Sequence, residues 1–366
     1  MHPEEQAVEN RNANRFEKLF EHLALDRIIA RLQDFEIHSD GLTWTRFGGS
    51  LALVLVVLLF LSGAFMAFYY SPAPGAAYDS VDYALFSVPF GEMIRGIHHY
   101  AWNLLLILIG LHLTRAFILG VYKTPRQMIW ISGVFIMIII PAFIFTGDLL
   151  LWDQKGYWST QVRNSIISSV PLVGDFAVRM IQGGPLIGIV TLTRYYVLHI
   201  IFLPSLLIFL IAVHFHFLRH RGVSGSLSGE ETVRQKVPFL PTMVNRWLIL
   251  FLVVTVVMGL ATWHWPAPLD NPADPTDSPY IPKPEWWVLF LNQLVGIFTG
   301  PLMVIATVII PGGLLALIVA LPFLDRSPER HPLHRKKIML VAAIITIVLL
   351  GLSFMGYMEH FGISDS

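Results

Sequence analysis

The chain of 366 residues contains no cysteine. That absence excludes disulfides, thiolate-held zinc, cysteine-ligated iron–sulfur clusters and thioether-attached haem within it, so any redox centre must use other ligands. Charge is scarce as well. Only 14% of residues are Asp, Glu, Lys or Arg and 55% are hydrophobic, whereas a soluble domain carries roughly 25% charged residues. Twenty-five basic residues cancel twenty-five acidic ones, which leaves no electrostatic footprint for nucleic acid. The polar N-terminus also lacks the short apolar core and small-residue cleavage site of a secretory signal, so membrane insertion is expected to start from the first spanning helix.

Long apolar runs are abundant. A membrane span needs about 20 apolar residues, and seven stretches qualify, at roughly 45–70, 97–121, 128–150, 195–218, 245–265, 290–322 and 338–358. The sixth is long enough to tilt or to include an interfacial turn. Ahead of them, "FEKLFEHLALDRIIARL" repeats apolar residues at helical spacing, as an amphipathic helix on the membrane face or a solvated helix does. The expected fold class is an all-α membrane protein of about seven transmembrane helices, a four-helix bundle followed by three helices. Its expected parts are an N-terminal segment 1–40, a four-helix domain 41–225, a linker 226–244 and a three-helix domain 245–366.

Loop charge sets the expected orientation, because short cytoplasmic loops keep an excess of Lys and Arg. The N-terminus, the loop with Lys123 and Arg126, the segment "RHRGVSGSLSGEETVRQK" and the segment "LDRSPERHPLHRKK" fall on one side, assigned as cytoplasmic. The neutral to acidic loops near Asp79 and Asp82, over 151–193 and over "WPAPLDNPADPTDSPYIPKPEWW" fall opposite, which puts the C-terminus outside.

Within the apolar spans stand four histidines. His98 and His112 lie 14 positions apart on the second span, about 21 Å along a helix and near one face. His199 and His214 are 15 apart on the fourth. On antiparallel helices His98 then faces His199 at an outer level, and His112 faces His214 at an inner one. Polar groups are costly in lipid and mark function there. Two facing imidazoles are the axial ligation of an electron-transfer haem without an open coordination site. Zinc fits less well, since each level offers two ligands and no cysteine or carboxylate nearby. Gly49 and Gly63 on the first span, and Gly133 and Gly147 on the third, repeat the 14-residue spacing, as expected if backbones must stand back from a flat macrocycle. Arg95 and Arg115, each three residues from a histidine, can pair with haem propionates or simply anchor topology. His99 and His216 should face away, His264 sits by Trp263 and Trp265 at an interface, and the others, His2, His22, His38, His220, His331, His334 and His360, read as surface residues.

These residues resemble cytochrome b of the Rieske/cytochrome b family, the bc and b6f complexes, over about residues 35 to 355. The stretches "VYKTPRQMIWISGV", "LLWDQKGYW", "TLTRYYVLH" and "RGVSGSL" are similar to b6-type cytochrome b. "PKPEWWVLF" and "PFLDRSPERHPLHRKK" are similar to the three-helix subunit that accompanies it. Both parts stand in one chain. The resemblance implies two non-covalent b-type haems, a lower-potential one on His98 and His199 and a higher-potential one on His112 and His214. It implies an outer quinol-oxidation pocket at Pro284, Glu285, Trp286 and Trp287, with Glu285 taking a quinol proton. Without the resemblance, "PEWW" reads as an interfacial turn with a tryptophan belt. Arg219, with His38 or Arg46, falls at the matching inner quinone position.

Three departures stand out. Trp287 replaces the family's Tyr, Asp148 and Leu151 replace Tyr and Pro, and Arg46 replaces the cysteine that tethers an extra haem in b6f proteins, so no covalently attached third haem is expected. The function implied is quinol oxidation in a bacterial cytoplasmic or other energy-transducing membrane, with a Rieske protein, a c-type cytochrome or equivalent acceptor, the quinone pool, membrane lipid and a second copy as partners. The alternatives are a cytochrome b anchor working with a multihaem cytochrome in a Rieske-free complex, and a transporter or channel subunit with proton-relay histidines.

Overall fold

A computed structural model describes residues 36–38, 48–221 and 236–361, with side chains left aside at 36–38 and 236–242. The amphipathic stretch before residue 36, Arg46 and most of the polar linker lie outside the described residues.

Among the described residues seven helices are long and apolar enough to cross a membrane: Gly48–Ala67, Gly91–Ile118, Gln127–Leu150, Ile189–Arg221, Met243–His264, Gly300–Leu324 and Lys336–Phe361. In chain order the helices are α1 (Gly48–Ala67), α2 (Ala77–Phe86), α3 (Gly91–Ile118), α4 (Gln127–Leu150), α5 (Gln154–Ser168) and α6 (Gly174–Gln182). They continue with α7 (Ile189–Val197), α8 (Leu203–Arg221), α9 (Phe239–His264), α10 (Leu289–Ile297), α11 (Ile310–Leu324) and α12 (Lys336–Phe361). The fold is helical, as expected. One small ribbon adds to it: β1 (Glu36–His38) pairs antiparallel with β2 (Lys236–Pro238), which ties the segment before α1 to the start of α9.

Two spans contain a π-helical turn. Leu198–Phe202 joins α7 to α8, and Ile305–Ile309 leads into α11. Each ends two residues before a proline, Pro204 and Pro311. A helical proline cannot donate to the carbonyl four residues back, and a wider turn is one way the chain absorbs that loss. The apolar run at 290–322 is not one helix. Its first part forms α10, and the chain breaks at Phe298 and Thr299 before resuming at Gly300, whose φ is +59°, a conformation glycine adopts without steric cost.

Packing around α3 makes the core. Leu55 and Leu58 of α1, Ile97, Ala101 and Leu105 of α3, Ile140 of α4 and Leu207 of α8 are buried together with Val254 and Met258 of α9. The fifth span therefore belongs to the same apolar core as the first four. A Cβ on Gly96 would stand 2.1 Å from Thr262 Cγ2, so α3 and α9 approach as closely as glycine permits. On the other flank Trp130 and Val134 of α4 pack with Leu321 of α11, and the Trp130 indole donates to the Ile318 carbonyl at 2.7 Å.

The connections gather into two sets by chain parity. Those after the first, third and fifth spans touch one another, Ala77 and Tyr78 packing with Trp152, Tyr157 and Ala273. Arg95 donates to the carbonyls of Ala267 and Pro268 at 2.9 and 2.5 Å, Gln154 N–H to Asn271 O at 2.9 Å, and Ala273 N–H to Trp152 O at 3.0 Å. Those after the second and sixth spans meet around Asp325, which takes Lys123 at 2.7 Å and the hydroxyl of Tyr122. Arg335 reaches Tyr122 Oη at 2.9 Å and the carbonyls of Phe117 and Ile118 at 3.0 and 2.6 Å.

Candidate functional site

Each of the four histidines lies against a glycine of a neighbouring helix. A Cβ built on Gly63 would lie 3.3 Å from His98 Cε1, on Gly147 2.8 Å from His199 Cε1, on Gly133 3.4 Å from His214 Cε1, and on Gly49 3.8 Å from His112 Cε1. Each glycine of the 14-residue spacing thus lies against an imidazole edge, a contact that spacing alone did not show.

Three of these glycines follow a hydroxyl residue, a pairing that spacing alone did not reveal. Ser62 Oγ lies 2.9 Å from His98 Nδ1, Thr146 Oγ1 3.0 Å from His199 Nδ1, and Ser132 Oγ 3.0 Å from His214 Nδ1. Each hydroxyl also donates back to the carbonyl four residues earlier, Leu58 and Ala142 at 2.7 Å and Met128 at 2.8 Å. Its proton being spent, the oxygen accepts from the ring, so Nδ1 carries the hydrogen. Nε2 is left with its lone pair facing inward, the state a metal requires. Among the described residues no hydroxyl stands against His112, which meets Gly48 and Gly49 instead.

The rings of His98 and His199 face each other with centroids 6.5 Å apart and planes at 56°. Metal–imidazole bonds of about 2 Å on either side of one ion place two ring centres about 6 Å apart, so the pair fits a single six-coordinate iron. Among the described residues no group of three or more His, Cys, Asp or Glu gathers at one point, and two axial ligands per level is what haem needs.

The 15-residue spacing on the fourth span also acquires a cause. His199 lies inside the π turn Leu198–Phe202, and a π turn takes up one extra residue. Fifteen residues with one such turn cover the rise and rotation of fourteen without it, so both histidine pairs keep step.

Next to the outer level the PEWW stretch closes onto α4 and α5. Lys155 Nζ meets Glu285 Oε1 at 2.5 Å, and Arg163 meets Asp148 at 3.0 Å. The Arg163 guanidinium stands 4.9 Å over the Phe145 ring, whose centroid is 5.3 Å from that of Trp287. The Trp286 indole donates to Asn103 Oδ1 at 2.9 Å, while Trp287 Nε1 and Arg163 Nε are buried without a partner among the described residues. Burial opposes the Lys155 ammonium, but Glu285, with Asp148 and Asp153 behind it, outweighs burial and holds its pKa above the ordinary lysine value. Asp153 caps α5 by accepting from Gly156 N–H at 2.8 Å. Its burial, stronger than that bond and the one from Asp270 N–H, raises its pKa.

The remaining expected residues fall as follows. Arg95 is buried and both its terminal nitrogens bond the loop after α9. Arg115 is partly buried on α3, and Arg219 is exposed on the last turn of α8. Pro284 precedes the short 3-10 turn Trp286–Val288. His360 is half-buried against Asn292 at 2.6 Å, and His331 Nδ1 is buried, so neither is a plain surface residue.

A seven-span bundle with facing, tautomer-fixed imidazoles defines a membrane-embedded cytochrome. Residues 103–272 match the family model for cytochrome b (N-terminal)/b6/petB, and residues 272–363 that for cytochrome b (C-terminal)/b6/petD. Cytochrome b6 of Synechococcus sp. (strain CC9605) is 38% identical over 179 residues, 49% of this chain and 82% of the relative, and so is that of Prochlorococcus marinus (strain NATL1A). A chain of the solved structure titled "Hyperthermophilic respiratory Complex III" superposes with a TM-score of 0.78 at 26% identity, covering 93% of this chain and 91% of that one. The chain belongs to the cytochrome b family, with the b6-like and the accompanying three-helix parts in one polypeptide. It is an integral membrane, b-haem electron-transport subunit of the quinol oxidoreductase type.

Proposed function

We propose that the protein is the di-haem core of a complex that oxidises quinol at one membrane face and reduces quinone at the other. The observation that carries this is the outer histidine pair, with ring centres 6.5 Å apart and both Nδ1 atoms fixed by Ser62 and Thr146. His98 and His199 hold the lower-potential haem near the outer face, and His112 and His214 the higher-potential haem near the cytoplasm. Bound there, the two haems supply one-electron carriers at two depths, so that the electrons of one quinol can part, one to an external acceptor and one across the membrane.

The chain's own residues do the rest. Gly49, Gly63, Gly133 and Gly147 seat the imidazoles, and Ser62, Thr146 and Ser132 fix their tautomer. Arg115 faces haem propionate, and Arg95 does so through the nitrogen its two carbonyl bonds leave over. Quinol oxidation releases two protons, and Glu285 accepts one at the interface, in a pocket formed with Pro284, Trp286 and Trp287. Arg219 belongs to the inner quinone pocket. His38 and Arg46 were the other candidates there: the His38 side chain and the whole of Arg46 fall outside the described detail.

The partners are a Rieske protein, a c-type cytochrome or equivalent, the quinone pool, surrounding lipid and a second copy of the complex. The working division is a segment 1–40, a di-haem domain 41–225, a linker 226–244 and a C-terminal part 245–366, with the N-terminus cytoplasmic and the C-terminus outside a bacterial or other energy-transducing membrane. Membership of the family removes the transporter reading. The Rieske-free reading draws on Trp287 and Asp148, which change the pocket where the external acceptor would dock. EPR of the gently solubilised complex after ascorbate reduction separates the two. A Rieske signal beside low-spin bis-histidine haem supports electron splitting, and haem signals without the cluster in an intact complex refute it.

A further inference from the structure

The outer pocket carries a charge pattern that quinol chemistry does not require. Glu285 stands at the N-cap position of the turn Trp286–Val288, yet its carboxylate does not cap that turn. It turns instead to Lys155, 130 residues earlier in the chain, on the first turn of α5. Both side chains are partly exposed, 34% for Lys155 and 24% for Glu285. The other charged or titratable groups around the ammonium are Asp148, Asp153 and His99. Arg163 is already engaged by Asp148 and by Thr160 at 2.6 Å, so Lys155 is the cation placed on Glu285.

We propose that Lys155 is a positioning residue for quinol oxidation: its ammonium holds the Glu285 carboxylate in the pocket to receive the quinol proton, and protonation releases that hold. The inference rests on the proposed role of Glu285. In the step itself a quinol hydroxyl gives its proton to a Glu285 carboxylate oxygen, leaving quinol with one negative charge and Glu285 neutral. A neutral acid no longer forms a charge-assisted bond with an ammonium. Partly exposed ion pairs are weak, so opening this one in each turnover is within reach, and the flexible lysine stem can close it again when Glu285 loses its proton to water. A more buried pair such as Arg163 with Asp148, whose guanidinium is also tied to Thr160, would be a poorer latch.

The test is duroquinol oxidation by the intact complex in membranes, comparing Lys155→Met, Lys155→Arg and Glu285→Gln after haem loading is verified by the reduced-minus-oxidised spectrum. Misplacing a reacting group costs rate more than binding, so Lys155→Met is expected to lower kcat by about tenfold with KM little changed. Lys155→Arg, which keeps the charge, is expected to restore most of the rate. If Lys155→Met fails to load haem, Lys155→Gln carries the same comparison with a shorter polar side chain. Wild-type kcat in Lys155→Met beside an inactive Glu285→Gln overturns the latch and leaves the role of Glu285 standing. Equal losses in Lys155→Met and Lys155→Arg overturn it too, because charge would not be what matters. Wild-type turnover in Glu285→Gln overturns both.

Discussion

The outer and inner histidine levels share spacing and helices but differ in how tightly they are built. At the outer level both rings give their Nδ1 hydrogen to a hydroxyl, Ser62 or Thr146, and the glycines stand close, 3.3 and 2.8 Å from the ring carbons to a would-be Cβ. At the inner level only His214 has a hydroxyl partner among the described residues, and the corresponding distances relax to 3.4 and 3.8 Å. A ring held from both sides has its Nε2 direction fixed before any ligand arrives. A looser one can adjust to it. The outer level is therefore the more preorganised and the less tolerant of change.

The largest expected effect follows from that intolerance. Gly147→Val places branched carbon where His199 Cε1 already lies 2.8 Å from the first added atom, and neither helix has room to yield in a packed interior. The variant should lose the outer haem and keep the inner one, which removes half of the b-type absorbance in a reduced-minus-oxidised spectrum. Retention of both haems would show that the outer level is not the rigid one.

The joint that ties the loop after the second span to the loop after the sixth gives the next effect. Side chains of Lys123, Asp325 and Arg335 are 6%, 7% and 1% exposed, so Asp325→Asn strands buried cations. Breaking a buried pair from one side costs about 3–5 kcal/mol, and thermal unfolding in detergent should fall accordingly. Burial raises the Asp325 pKa, but Lys123, Tyr122 and Arg335 together bring it below the ordinary carboxylate value of 3.8. The stabilisation is then complete above about pH 4 and drains away as pH falls through the lowered value. Unfolding curves of wild type and Asp325→Asn should converge only in that acid range.

Much of this architecture is legible in the sequence, because lipid forces long apolar runs and makes each buried polar residue conspicuous. All seven spans appear as hydropathy. The facing of His98 and His199 follows from counting turns. The sixth run shows by its length that it can include a turn but not where, since Phe298 and Thr299 look no different from their neighbours and the positive φ of Gly300 marks the break. The π turn at His199 is signalled only by Pro204 and by a spacing one residue longer than its partner's. Ser62, Ser132 and Thr146 are silent for another reason: a hydroxyl in an apolar helix ordinarily bonds its own backbone, as these do. Their adjacency to the spaced glycines was the available clue. Lys155 could not be found at all, as its partner comes from the far part of the chain.

A smaller effect tests the hydroxyls directly. Ser62→Ala with Thr146→Val removes both acceptors at the outer level, while Ser132→Ala removes the one described at the inner level. Outer partners of a metal-bound histidine contribute about 10–100-fold in affinity. Haem dissociation into apomyoglobin should accelerate at the outer level in the double variant and at the inner level in Ser132→Ala. Acceleration at the wrong level would reverse the assignment of hydroxyls to rings.

The least effect is expected at Gly49. A Cβ there meets His112 Cε1 at 3.8 Å, an ordinary van der Waals contact that displaces nothing, and alanine is a better helix former than glycine by about 1 kcal/mol. Gly49→Ala should load both haems and unfold at the wild-type temperature or slightly above. The comparison is sharpest against Gly147→Ala, the same substitution at the outer level, where the added atom starts inside contact distance. If Gly49→Ala instead loses the inner haem, then the space beside His112 is required for the macrocycle rather than for the imidazole, and the four glycines serve two purposes rather than one.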